Sequence, residues 1–129
     1  MKPVFDIATK AKNSPNGISI KRLVSAAATT NPTLVKASGG RVFKIIGQNA
    51  DTTAKYIKLY NKATAPTVGT DTPVMTIPVA GSAMFDIDFG EIGLYFSTGI
   101  GFGITDANAD ADTTALTAGD ILGMSVLYC

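Results

Sequence analysis

The sequence predicts an all-β chain. It reads as a single β-sandwich of jelly-roll or immunoglobulin-like type, with eight or nine short antiparallel strands behind an extended N-terminal arm. Three observations predict it. Apolar residues recur at period two rather than 3.6 through most of the chain. Glycine, proline and asparagine clusters break these runs at short intervals. Almost nothing carries a helical pattern, which argues against a parallel α/β sheet. With 129 residues, 46% of them hydrophobic and 16% charged, the chain has enough apolar material for one domain with a real core.

The elements follow in order. Residues 1–17 read as an irregular arm, with Phe5 as a candidate contact, closed by Pro15 and Asn16-Gly17; residues 18–129 form the sandwich. Strand-like runs occupy 18–27 and, after the Asn31-Pro32 break, 33–38. Gly39-Gly40 then predicts a tight hairpin into 41–49. In "AKYIKLYNK" (54–62), Ile57 and Leu59 face one way; Tyr56, Lys58, Tyr60 and Lys62 face the other. A long polar connection follows. The run 74–80 contains Pro78, which cannot donate to a ladder and marks an edge or bulged strand. In "MFDIDF" (84–89), Phe85, Ile87 and Phe89 point inward while Asp86 and Asp88 point to water. The runs 93–97, 99–105 and 120–129 complete the set, with one helical turn expected between Thr113 and Gly119.

The composition excludes much chemistry. There is no histidine, and the single cysteine is Cys129. Ser-His-Asp and Cys-His catalysis are therefore ruled out, and a zinc site is disfavoured. Asp86 and Asp88 have the spacing of a glycosidase pair but no acid–base partner, so a solvated face is the better reading. No apolar run reaches bilayer length, and "MKPVFDIATKAKNS" lacks a signal-peptide core; a protein made in a cytosol, with no membrane partner, is expected. Charge is unevenly distributed. Residues 1–64 hold eleven basic and two acidic residues, net +9; residues 65–129 hold eight acidic and no basic ones, net −8. Either the halves neutralise each other within the domain, which is favoured, or they present opposite faces to neighbours.

Three patterns suggest sites. The loop "TDANADADTTA" (105–115) places Asp106, Asn108 and Asp110 at positions 1, 3 and 5 of an EF-hand-like series. Ala111 stands where that loop needs glycine and Thr117 where it needs glutamate, so these three are at most irregular calcium candidates. The expectation is no cofactor. Tyr56, Lys58 and Tyr60 form a mixed aromatic and basic face suited to a protein interface. The near-neutral chain argues against nucleic acid. Gly99, Gly101 and Gly103 leave one strand face bare, so another backbone is expected to come close there, within the fold or at a subunit axis.

The phrases "YIKLYNKATAPTVGTDTPVMTIPVAG" and "GLYFSTGIGFGITDANADADTTALTAGD" resemble a family of small proteins encoded by tailed phages and prophages, over roughly residues 20–128. The resemblance implies a non-enzymatic virion component, a capsid decoration or cement protein or a tail accessory protein. It would be assembled in the host cytoplasm and partnered by major capsid or tail proteins. A homo-oligomer, with a trimer favoured, fits that role. The other reading is a carbohydrate- or surface-binding module using the tyrosine face, with or without calcium.

Overall fold

The computed structural model describes residues 17–129; the expected arm, including Phe5, lies outside them. Among the described residues nine strands form two antiparallel sheets: β1 (Ser19–Ser25), β2 (Thr33–Lys36), β3 (Gly40–Asn49), β4 (Lys55–Tyr60), β5 (Met75–Val79), β6 (Ala83–Asp88), β7 (Leu94–Phe96), β8 (Ile100–Thr105) and β9 (Ile121–Tyr128). The first sheet runs β1-β9-β3-β6, with β7 also paired to β3; the second runs β2-β8-β4-β5. With β7 set aside, the first strand neighbours the last, the second the next to last, the third β6, and the fourth the fifth. A long hairpin rolled into two layers gives this nesting. It decides for a jelly roll over an immunoglobulin order.

The alternation read from the sequence sets the core. Ile57 and Leu59 of β4, Ile100, Phe102 and Ile104 of β8, Val42 and Ile45 of β3, and Ile121, Met124 and Val126 of β9 fill the space between the sheets. Phe85 and Ile87 of β6, and Phe89 just after it, pack against that core, while Asp86 and Asp88 face out. Two bulges in β3 shift its register on β9, one between Val42 and Lys44 and one between Ile46 and Gln48. At the second, Gly47 leaves room for the Phe85 ring, which an added Cβ would meet at 2.6 Å.

Two local expectations fail. Gly39-Gly40 makes no hairpin, because β2 and β3 belong to different sheets. These glycines serve close approach instead: a Cβ on Gly39 would lie 2.8 Å from the Ser97 carbonyl oxygen, and one on Gly40 would collide with that of Cys129. The turn expected between Thr113 and Gly119 is not helical. Asp112 accepts bonds from the Ala107 and Thr114 amides and the Thr114 hydroxyl, which competes with a helical start.

Candidate functional site

The predicted face of β4 and the predicted glycines meet on one surface. Register sets Lys58 opposite Gly103, Tyr60 opposite Gly101 and Tyr56 opposite Thr105. The bare glycine backbone forms a trough, and the chain's own β4–β5 connection fills it. Added Cβ atoms would meet the Lys62 carbonyl oxygen at Gly99 (2.3 Å), the Pro66 ring at Gly101 (3.1 Å) and the Val68 side chain at Gly103 (2.4 Å). The close partner expected at these glycines is therefore within the fold.

This corrects the reading of Tyr56, Lys58 and Tyr60 as an open interface. Lys58 and Tyr60 are 0% and 1% exposed, and Tyr56 is half-buried. The facing was right, but two loops cover the strand. The β4–β5 connection lies over β8, and the acidic loop between β8 and β9 reaches it where a Cβ on Gly69 would crowd Thr113 and Ala111. Lys58 passes beneath and donates from Nζ to the Ala109 carbonyl at 2.5 Å. The Tyr60 hydroxyl has no hydrogen-bond partner among the described residues. Burial, and then the charges of Asp71 and Asp110, raise its pKa above the ordinary 10.0.

The acidic loop is tied down by cations from the basic half of the chain. Lys55 Nζ lies 2.6 Å from Asp106 Oδ1, 2.5 Å from Asp51 Oδ2 and 3.7 Å from Asp120 Oδ2. Asn49, fully buried, orients the Asp51 turn by donating to the Thr53 and Val79 carbonyls and accepting from the Asp51 amide. Lys62 pairs with Asp71 at 2.6 Å, and Lys44 with Asp86 at 3.2 Å. Three lysines of the basic half thus pair with four carboxylates of the acidic half inside the domain, part of the neutralisation the sequence favoured. Of the calcium candidates, Asp106 is committed to Lys55, while Asn108 and Asp110 stand exposed. Among the described residues no group of three or more carboxylate, histidine or cysteine side chains could hold a metal ion.

The open surface is on the other sheet. Of the eight large apolar side chains left exposed among the described residues, all but Val74 lie on the β1-β9-β3-β6 sheet or its adjoining segments. Ile20 (62%), Ile46, Met84 (84%) and Leu122 stand on its outer face. Arg41 and Tyr95 lie cross-strand at one end, with the guanidinium 5.1 Å from the ring centre. A shallow groove runs between Ile46, Gln48, Met84 and Leu122, floored in part by Phe85 and Gly123. The sequence held a signal for this face in its apolar doublets Ile45-Ile46, Ile121-Leu122 and Val126-Leu127. Along a strand, one member of each such pair must point away from the core.

Comparison with known protein families, with characterised proteins and with solved structures finds no match to this chain.

Proposed function

We propose that this chain is a non-catalytic structural component of a tailed-phage virion, a capsid decoration or cement protein that docks on major capsid or tail proteins as a homo-oligomer. One observation carries the reading. The central strands β4 and β8 of one sheet are covered by the chain's own loops, while the other sheet presents its outer face, with seven of the eight large apolar side chains exposed among the described residues on that sheet and its adjoining segments. Monomeric domains seldom leave such a face uncovered, and contiguous exposed apolar surface marks an interaction site. Jelly rolls occur in viral capsid and lectin domains, so the fold is compatible with the role without assigning it. Many copies, each contacting several neighbours, would hold a particle by multivalency without any tight single contact. The carbohydrate-binding reading loses its platform with Tyr60 buried and its first calcium ligand with Asp106 held by Lys55.

The test is mass spectrometry of purified, nuclease-treated particles of a phage that encodes this chain, followed by rebinding of the purified protein to particles that lack it. Stoichiometric presence and saturable rebinding support the proposal; absence from the particles overturns it. Removal of residues 1–15 is expected to abolish rebinding while the sandwich stays folded. Undiminished rebinding by that truncation would remove the arm from the docking surface. Mass measurement of the purified protein decides whether three copies associate.

A further inference from the structure

We propose that the outer face of the β1-β9-β3-β6 sheet is where a second copy of this chain packs, face to face about a two-fold axis that runs along the strands. The inference names a surface for the oligomer in the reading above. Its test uses the isolated protein, so the two can fail separately.

The centre of the face is largely apolar, broken by Gln48 and by Lys44, which leans to Asp86. Ile46 of β3 and Leu122 of β9 are exposed there, and Leu127 of β9, half-buried, pairs cross-strand with Ile20 of β1. Arg22 of β1 and Asp88 of β6 put opposite charge at the two edges, while Asp86 is already paired with Lys44 of the central strand β3. A single cross-strand row runs Arg22, Ser125, Ile46, Asp86 from edge to edge, and the next row ends on Asp88. Arg22 has no ion-pair partner among the described residues. Asp88 accepts only the Gly90 amide there.

This arrangement selects one symmetry. A two-fold axis along the strands carries the β1 edge of one copy over the β6 edge of the other. Arg22 then approaches Asp88, the β6 carboxylate without an ion pair among the described residues, on both sides, and the apolar residues of β3 and β9 stay at the centre. A two-fold axis across the strands would stack Arg22 on Arg22 and Asp88 on Asp88, which like-charge repulsion opposes. An isologous contact needs one self-complementary patch, and this face supplies it. It also has the anatomy of an interface, with a largely apolar centre and a charged rim.

The experiment is native mass spectrometry and sedimentation equilibrium of the full chain across a wide concentration range. The wild type is expected to form an even-numbered assembly: two copies, or six where a three-fold contact forms as well. Ile46→Asp places a charge at the centre and is expected to weaken association roughly thirtyfold or more. Arg22→Glu and Asp88→Arg should each weaken it by roughly three- to tenfold, and the double reversal should restore it. All three positions lie on the solvent side, so thermal unfolding is expected to change little and serves as the folding control. A chain monomeric at every concentration overturns the proposal. So does an odd-numbered assembly, an even one indifferent to Ile46→Asp, or a double reversal no better than the single ones. Removal of residues 1–16 that turns a monomer into a dimer would identify the arm as the occupant instead, and would also overturn it.

Discussion

Lys55 Nζ sits 2.6 Å from Asp106 Oδ1, joining the start of β4 to the first residue after β8. Asp51 and Asp120 complete the ring of carboxylates, so one lysine, 3% exposed, ties the β3–β4 connection to both ends of the β8–β9 connection. Burial alone would draw its pKa down. The hydrogen bonds to Asp106 and Asp51, with their charges, outweigh burial and hold the ammonium above its ordinary 10.5.

Lys55→Met should therefore destabilise the domain although the volume is kept. Three carboxylates would remain converged without their cation, and Lys55 is itself nearly fully buried. Breaking a fully buried pair costs roughly 3–5 kcal/mol. Because Asp106 is partly open to solvent, the expected loss is about 2 kcal/mol. Urea unfolding should show a lower midpoint at unchanged slope. A midpoint equal to wild type would show that the cluster contributes no net stability.

Stability should be flat near neutrality and fall at both extremes. With no histidine, no side chain of ordinary pKa changes charge between about pH 5 and 8. Asp51, Asp71 and Asp112 are held below the ordinary 3.8, chiefly by the Lys55, Lys62 and Thr114 side chains respectively. Groups with a depressed folded pKa contribute stability that is present above 3.8 and lost as pH falls below it. Lys55 contributes stability that is intact below 10.5 and lost as pH rises through its higher folded value. Tyr60 is favoured neutral, and its contribution fades above 10.0. Thermal melts should show an acid limb starting near pH 4 and an alkaline limb starting near pH 10. Asp51→Asn should shrink the acid limb and, because Asp51 also helps raise the Lys55 pKa, the alkaline limb with it.

Gly99, just before β8, and Gly103 within it predict an order of damage. A Cβ at Gly99 meets the Lys62 carbonyl oxygen at 2.3 Å, and one at Gly103 meets the Val68 Cγ2 methyl at 2.4 Å. The distances are alike, but a methyl can turn away and a backbone carbonyl cannot. Overpacking costs typically about 1–3 kcal/mol. Gly99→Ala should fall at the upper end and Gly103→Ala at the lower, as read by chemical denaturation. Equal losses would mean that the β4–β5 connection moves as one piece.

These glycines also show what was legible in the sequence. Period two located the nine strands to within a few residues, because alternation is a local property of the chain. It also put Ile57 and Leu59 on the opposite face from Tyr56, Lys58 and Tyr60. What it could not tell was that the second face is roofed. The roof is Pro66, Val68 and the Ala109 carbonyl, which reach Gly101, Gly103 and Lys58 from other parts of the chain. A polar loop that lies on a sheet reads the same as one that extends into water. For the same reason Gly39-Gly40 resembled a hairpin, although its spacing answers to the Ser97 and Cys129 carbonyls.

Lys58 tests the roof directly. Its ammonium is fully buried, and its hydrogen bond goes to the Ala109 carbonyl of the acidic loop. Its charge is also one of the smaller influences that lower the Asp112 pKa. Lys58→Met keeps the stem that packs beside Gly103 and removes the charge that draws the loop down. The hydrogen-bond partner left behind is a neutral carbonyl that still accepts the Asp112 amide, so no buried charge is stranded and the ammonium's desolvation penalty disappears with the interaction. Global stability should therefore stay within about 1 kcal/mol of wild type. The loop should loosen all the same: the Ala107 and Asp112 amides, bonded to the Asp112 carboxylate and the Ala109 carbonyl, should exchange hydrogen faster, while those of β8 hold their protection. Unchanged exchange at both amides would mean that Asp112 and Thr114 hold the loop without Lys58.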